Sequence, residues 1–187
     1  MTETKTRCAW CEKDDLYRDY HDNEWGKPVY DDQLLFEFLI LETFQAGLSW
    51  YTILKKRENF RKAFHHFDYK KVAQYNEAKI QELLQDAGII RNQLKIRAAV
   101  SNAVAFMKVQ DEYGSFSNYI WNFTGGKPIH NNIKLMKEIP ATTPLSDEIS
   151  KDLKKRGFKF VGSTVVYAHM QATGMVNDHV VDCWTQN

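Results

Sequence analysis

The sequence predicts a single-domain, all-α protein, and three features carry that prediction. Apolar residues recur at helical spacing through six segments, polar caps and glycines bracket most of these, and alternating strand patterns are scarce. The first segment, 31 to 46, sets Leu34, Leu35, Phe38, Leu39 and Leu41 on a broad apolar face, with Asp31 and Asp32 as caps and Gly47 as the stop. Ser49 caps a second helix through Trp50, Ile53, Leu54, Phe60 and Phe64. Asn76 precedes a third, whose stripe of Ile80, Leu83 and Leu84 stops at Gly88. A long fourth spans Gln93 to Tyr113 through Ile96, Val100, Val104 and Met107, and Gly114 ends it. Two more are expected, from Ser146 to Arg156 before Gly157 and from Ser163 to Thr173 before Gly174; the second absorbs the run Val165-Val166-Tyr167. The stretch from Thr124 to Thr143, with Gly125, Gly126, Pro128 and Pro140, is the one long loop.

With 187 residues, 43% hydrophobic and 13% aromatic, the chain has enough apolar side chain to offset the entropy of ordering it, which excludes a largely disordered protein. The mean hydropathy is -0.52, and no apolar run approaches the roughly 20 residues that span a bilayer, so no membrane association is expected. The opening Met1-Thr2-Glu3-Thr4-Lys5-Thr6-Arg7 lacks the apolar stretch of a secretory signal, which points to the cytoplasm. Three cysteines do not make a disulfide scaffold; in a reducing compartment they are thiols or metal ligands. The formal net charge of +1 hides a segregation, because residues 11 to 37 hold nine acids and three bases, net -6, whereas residues 38 to 187 carry +6. Such a chain has one acidic and one basic side.

Three constellations carry possible chemistry. Near the C-terminus, His179 and Cys183 are four apart, which on a helix puts them on one face; near the N-terminus lie Cys8 and His21. Two thiolates and two imidazoles complete a tetrahedral zinc shell, and a shell with no vacant position is structural. The alternatives are that these are ordinary surface and core residues, or that Cys8-Ala9-Trp10-Cys11 is itself a metal-binding C-x-x-C. The second constellation is Trp10, Tyr17, Tyr20, Trp25, Glu42 and Trp50. Glu42 lies in the apolar stretch Leu39-Ile40-Leu41-Glu42-Thr43-Phe44, where it either points to solvent or is buried with its ionisation disfavoured, as at a binding site. The third is basic: Lys55-Lys56-Arg57, Arg91 with Lys95 and Arg97, and Lys151 with Lys154-Lys155-Arg156 and Lys159. These are solvated faces or, for the middle cluster beside the turn Gly88-Ile89-Ile90, a helical hairpin that offers backbone N–H groups and two cations to a phosphate.

Taken together, these residues resemble the DNA-3-methyladenine glycosylase I family within the helix-hairpin-helix glycosylases. The resemblance lies in Tyr20-His21-Asp22-Asn23-Glu24-Trp25-Gly26, Gln45-Ala46-Gly47-Leu48-Ser49-Trp50, Leu54-Lys55-Lys56-Arg57-Glu58-Asn59, Asp86-Ala87-Gly88-Ile89-Ile90-Arg91, Lys154-Lys155-Arg156-Gly157-Phe158-Lys159-Phe160-Val161-Gly162 and Val176-Asn177-Asp178-His179-Val180-Val181. It implies one glycosylase domain over residues 1–187 with two helical lobes, a helix-hairpin-helix at about 77–113, and a zinc clasp joining 8–21 to 179–183. Cys8, His21, His179 and Cys183 are then the ligands of a structural Zn2+, with Cys11 outside the shell.

The resemblance also implies that Glu42, Tyr20 and Trp50 contact the excised base, with Trp10 and Trp25 in the same aromatic pocket; Glu42 is the expected catalytic residue through that contact. Gly88, Ile89, Ile90, Arg91 and Lys95 are the expected grip on the DNA backbone, and Gly47 with Leu48 the apolar wedge in the duplex. The expected activity is hydrolysis of the N-glycosidic bond of 3-methyladenine in alkylated double-stranded DNA by a monomer, releasing the free base and leaving an abasic site without strand cleavage. No acid follows Arg91 until Asp111, so the aspartate that the wider superfamily commonly uses after its hairpin is missing. The competing readings are a zinc-stabilised helical DNA-binding module without catalysis, a zinc hydrolase, which needs an open coordination position, and a glycosylase for another modified purine.

Overall fold

The computed structural model describes residues 5–186, so the first four residues of the polar opening stretch lie outside it. Nine helices dominate the described residues: α1 (Asp15–Asn23), α2 (Asp32–Gln45), α3 (Trp50–Ala63), α4 (Tyr69–Val72), α5 (Glu77–Gln85), α6 (Gln93–Tyr113), α7 (Phe116–Asn122), α8 (Pro144–Lys155) and α9 (Ser163–Ala172). The one sheet among these residues is a parallel pair of two-residue strands, β1 (Ile129–His130) and β2 (Val176–Asn177). The expected helical fold class is thus observed.

Capping chemistry sets the helix starts. Asp31 accepts a hydrogen bond from Leu34 N–H, Ser49 from Thr52, Asn76 from Lys79 and Asn92 from Lys95, each satisfying a donor that the first turn leaves open. α8 begins two residues before the expected Ser146, because Thr143 and Ser146 form a reciprocal capping box with Pro144 in the first turn. Asp32, expected to cap its own helix, accepts instead from the N–H groups of Phe116 and Ser117 and from Gln110 Nε2, at 2.9, 2.8 and 2.6 Å. It thereby fastens the start of α2 to the start of α7. Helices α1, α4 and α7 are absent from the sequence expectation; α1 buries a tyrosine and a histidine rather than an aliphatic stripe, and α4 is a single turn.

The core is built around α2. Every residue from Leu35 to Phe44 is buried, so this helix is enclosed on all sides by α3, α6, α7 and α9 rather than presenting one apolar face. Phe36 meets Phe106 at 5.1 Å between ring centroids, Phe106 stacks on Phe116 at 4.2 Å, and Phe44 meets Phe60 at 4.9 Å. A smaller cluster of Cys8, Tyr20, Trp25, Phe38, Leu54, Ala172 and Cys183 adjoins it. Among the described residues, no helix is long and apolar enough to cross a membrane.

Two features anchor the termini to this core. β1 pairs with β2 through Ile129 and Val176, and Ile133 bridges Val180, so the C-terminal tail lies along the 129–133 segment. The tail is irregular after Asn177; His179 and Cys183 therefore do not share a helix face, correcting the reading of their spacing. The second feature is a buried ion-pair network. Arg57 donates to Glu37 at 2.7 Å and to Glu24 at 2.9 Å, and Arg61 chelates Glu37 from the other side. Burial pulls the Arg57 pKa down, but Glu24 and Glu37 more than offset this and hold it above the usual arginine value. Arg57 is thus an internal clamp between α1, α2 and α3, not part of an exposed basic face. Arg57→Met is expected to lower the unfolding free energy in urea by about 3 kcal/mol, because it strands buried charge; a loss below about 1 kcal/mol, the range of a surface pair, would show that the clamp is not structural.

Candidate active site

A cavity of about 360 Å³ opens where α1, α2, α3 and α9 converge. Trp10, from the first 3-10 turn, Tyr17 and Tyr20 of α1, Trp25 just after it, and Trp50 at the start of α3 form its aromatic walls. The Trp10 ring lies 5.1 Å from that of Trp25 and 4.8 Å from that of Tyr17, both edge-on, and Tyr20 lies 5.5 Å from Trp50. The sequence-derived group of base-contacting residues, Tyr20, Trp50, Trp10, Trp25 and Glu42, therefore lines one pocket.

Glu42 is the carboxyl group in this cavity and is only 3% exposed. It does not point to solvent, and it accepts no hydrogen bond from the described residues. Burial alone pushes its pKa from 4.5 up to about 8, so the neutral acid is the ground form at neutral pH. The indole N–H of Trp50, also in the wall, is buried without a partner. A neutral acid and a free donor inside an aromatic box suit a flat ring that carries positive charge and hydrogen-bonding edges.

Several lining residues escaped the sequence analysis. Gln45 follows Glu42 by one turn on α2; Thr164, Tyr167, Ala168 and Gln171 share one face of α9; Met136, Ile139, Pro140 and Ala141 come from the long loop. The i, i+3, i+4, i+7 spacing on α9 was readable as a stripe, but nothing in the sequence says which side of that helix faces a cavity. Asp178 supports the α9 wall by accepting from Tyr167, Gln171 and Asn131 at 2.6, 2.8 and 2.6 Å.

Beside the pocket, the two chain ends meet. Donor atoms of Cys8, His21 and Cys183 lie within 4.8 Å of one another, all buried, and His21 Nε2 is 3.5 Å from Cys183 Sγ. His179 lies outside that three-member group, yet its ring centroid is 4.9 Å from that of His21. Its Nδ1 pairs with Asn177 Oδ1 at 3.0 Å, and its Nε2 is buried with no partner. His21 is oriented the same way, with Nδ1 on Asp22 at 2.8 Å and Nε2 left for the cluster. Gly26 is required here: it sits at φ +75°, and a Cβ on it would come within 2.6 Å of the His179 ring. Cys11 is turned away, its thiol donating to the Cys8 carbonyl at 3.1 Å.

The residues expected to meet DNA divide. Gly47 and Leu48 form an exposed turn after α2, next to Gln45 and the pocket rim. Gly88, Ile89, Ile90 and Arg91 form the tight connection between α5 and α6. Gly88 is packed against its surroundings, since a Cβ would meet Asp86 Oδ1 at 2.9 Å and Asn59 at 3.2 Å. The N–H groups of Gly88 and Ile89 are already used by Asp86, the Ile89 side chain is buried and Ile90 is half-buried, so Arg91 is the exposed residue of this connection. Lys95 departs from expectation: it is buried, and its ammonium donates to the carbonyls of Phe44 and Ala46, so it does not present its charge to a phosphate.

The fold and the pocket define a helical protein with one aromatic cavity that holds a single buried carboxyl group. The sequence model of the methyladenine glycosylase family matches residues 10–186, and the chain belongs to that family. It is 51% identical over 177 residues to DNA-3-methyladenine glycosylase 1 of Escherichia coli K12, covering 95% of both chains. It is 48% identical over 178 residues to DNA-3-methyladenine glycosylase of Haemophilus influenzae, covering 95% of this chain and 96% of that one. Its fold superposes with a TM-score of 0.94, at 38% identity and 97% coverage of both chains, on a crystal structure of a Tyr→Phe variant of a 3-methyladenine DNA glycosylase I in complex with 3-methyladenine.

The pKa of Glu42 is raised on folding, so its contribution to stability is fully present below pH 4.5 and lost as pH rises through about 8. Wild-type unfolding free energy should therefore fall relative to that of Glu42→Gln across this window, by up to about 1.4 kcal/mol for each pH unit. Chemical denaturation of both proteins at pH 5, 6.5 and 8 checks this; parallel pH profiles would mean that Glu42 is solvated.

Proposed function

We propose that the aromatic pocket receives the flipped-out base of a nucleotide and that the chain hydrolyses the N-glycosidic bond of 3-methyladenine in alkylated DNA. The observation that carries this reading is Glu42, an unpartnered carboxyl group buried among indole and phenol rings. Alkylation at N3 places positive charge on adenine, which makes the base a good leaving group. That charge is also what the pocket lacks. It favours ionisation of Glu42, which then accepts a hydrogen bond from the adenine amino edge, whereas a keto purine offers no such donor. Trp10, Trp25 and Trp50 enclose the ring, where cation-π attraction is worth roughly 1 to 2 kcal/mol.

Flipping costs a few kcal/mol, less for a damaged base. In this reading Leu48 enters the gap left in the duplex while the turn at Ile90 and Arg91 holds the backbone. The electron pair of the breaking bond returns to the purine ring and cancels its charge; water adds to the sugar carbon and loses its proton, leaving an abasic site. Among the described residues no lysine lines the cavity, so in this reading no Schiff base forms and the strand stays intact.

The same proposal makes Cys8, His21, His179 and Cys183 the ligands of a structural Zn2+. The buried, partnerless Nε2 of His179 supports it, as does the orientation of both imidazoles by Asn177 and Asp22. Two thiolates and two imidazoles leave no open position, so the ion would tie the chain ends together and take no part in hydrolysis.

Incubation with methylated duplex DNA is expected to release 3-methyladenine and leave alkali-sensitive sites on an intact strand. Tight binding of undamaged duplex with no released base, or preferential release of another purine, would overturn the reading. Glu42→Gln should slow release by on the order of a hundredfold. Metal analysis should find zinc lost from Cys183→Ser and retained in Cys11→Ser; the reverse would place the ion in the Cys8-Ala9-Trp10-Cys11 segment.

A further inference from the structure

We propose that Lys95 is a positioning residue that fastens the Gly47–Leu48 turn to the start of α6, so that the wedge and the hairpin meet DNA as one rigid face. Its ammonium donates to Phe44 O at 2.9 Å and to Ala46 O at 2.6 Å. These carbonyls belong to the last turn of α2 and its C-cap, where a helix leaves acceptors open and its dipole favours a cation. Immediately beyond, Gly47 turns at φ +84°. Gln45 closes the turn from inside: Leu48 N–H donates to Gln45 O, and Gln45 Nε2 donates to Leu48 O, both at 2.6 Å. Gln45 also lines the cavity, so the turn is joined to the pocket through one residue.

The other end of the connection is equally fixed. Lys95 stands in the first turn of α6, its own N–H held by Asn92 at 3.1 Å. The hairpin just before it is held to α3, because Lys56 Nζ donates to Ala87 O and Gly88 O at 3.1 and 3.2 Å and Asn59 Nδ2 reaches Gly88 O at 3.3 Å. Pocket rim, wedge turn and hairpin are thereby linked by hydrogen bonds, and Lys95 is the side chain that joins the last two. Leu48, 38% exposed, and Leu94, 69% exposed, stand on either side of that joint. A wedge must hold the gap at the moment the base enters the pocket, and a displacement of about 1 Å in such a positioning element can cost on the order of a hundredfold in rate.

The proposal rests on Leu48 as the wedge, and the test separates the two. Lys95→Met keeps the apolar stem and removes the donors. Single-turnover excision from methylated duplex should fall about ten- to a hundredfold, while affinity for free 3-methyladenine and the salt dependence of binding to abasic duplex stay unchanged. Combined with Leu48→Ala, the loss should be smaller than the product of the two single losses. A salt slope reduced by about one would make Lys95 a phosphate ligand instead. Unchanged excision, or equal loss of free-base affinity, would overturn the proposal. So would a slow Lys95→Met protein when Leu48→Ala alone excises normally, and that last result would also remove the wedge. Lys95→Gln, which retains one amide donor, serves if the methionine variant does not fold and is expected to lie between it and the wild type.

Discussion

A carboxyl group buried without a partner is the constraint around which this protein is arranged. Glu42 lies on α2, a helix whose residues 35 to 44 are all buried, and no described side chain bonds it. Removing a carboxylate from water without compensation is expensive enough that the group takes up a proton instead, here with a pKa near 8. In the proposed reading, a cation entering the cavity reverses that balance, whereas a neutral purine of the same shape does not. Discrimination between damaged and undamaged adenine follows, in that reading, from the charge, and the attraction is strongest while the base is still cationic and joined to its sugar.

The surrounding structure holds that group in place. Five residues earlier on α2, Glu37 is chelated by Arg57 and Arg61, which fixes the rotation of the helix relative to α3. The aromatic walls in turn lean on the residues proposed to bind zinc: Trp25 lies 4.5 Å from the His179 ring and Trp10 5.3 Å from that of His21. Trp184 N–H reaches Thr6 O at 3.0 Å, so the chain ends are joined by protein contacts as well. An ion bound there would act on catalysis only by holding Trp10 and Trp25. The segregated charge is likewise partly internal, because acids of the 11–37 segment pair with Arg57 and Arg61 further along the chain. Arg91, Lys154, Lys155 and Lys159 are exposed and form no ion pair with the described residues.

Where local chemistry determines structure, the sequence was readable. Asp31, Ser49, Asn76 and Gly114 mark helix ends because a cap or a left-handed glycine acts within a few residues. The aromatic pocket was legible because indoles and phenols cluster near one embedded glutamate. What could not be read depends on packing between distant segments. Asp32 looked like a cap for its own helix and serves another; Lys95 looked like a phosphate ligand and is drawn beneath the Gly47–Leu48 turn by carbonyls about fifty residues away. α1 has too little aliphatic side chain to register as a stripe, and its burial is decided by the tail that covers it.

The claim that Glu42 is a neutral acid awaiting a cation is tested most directly by observing its carboxyl carbon. With glutamate labelled at that carbon, and Glu42→Gln used to assign the signal, an NMR titration should show Glu42 protonated at pH 7 with a midpoint near 8. Adding a cationic N-alkylated purine at pH 7 should move the signal to the carboxylate position. A resonance already ionised at pH 6 in the free protein, or one that does not respond to the cation, would contradict the account.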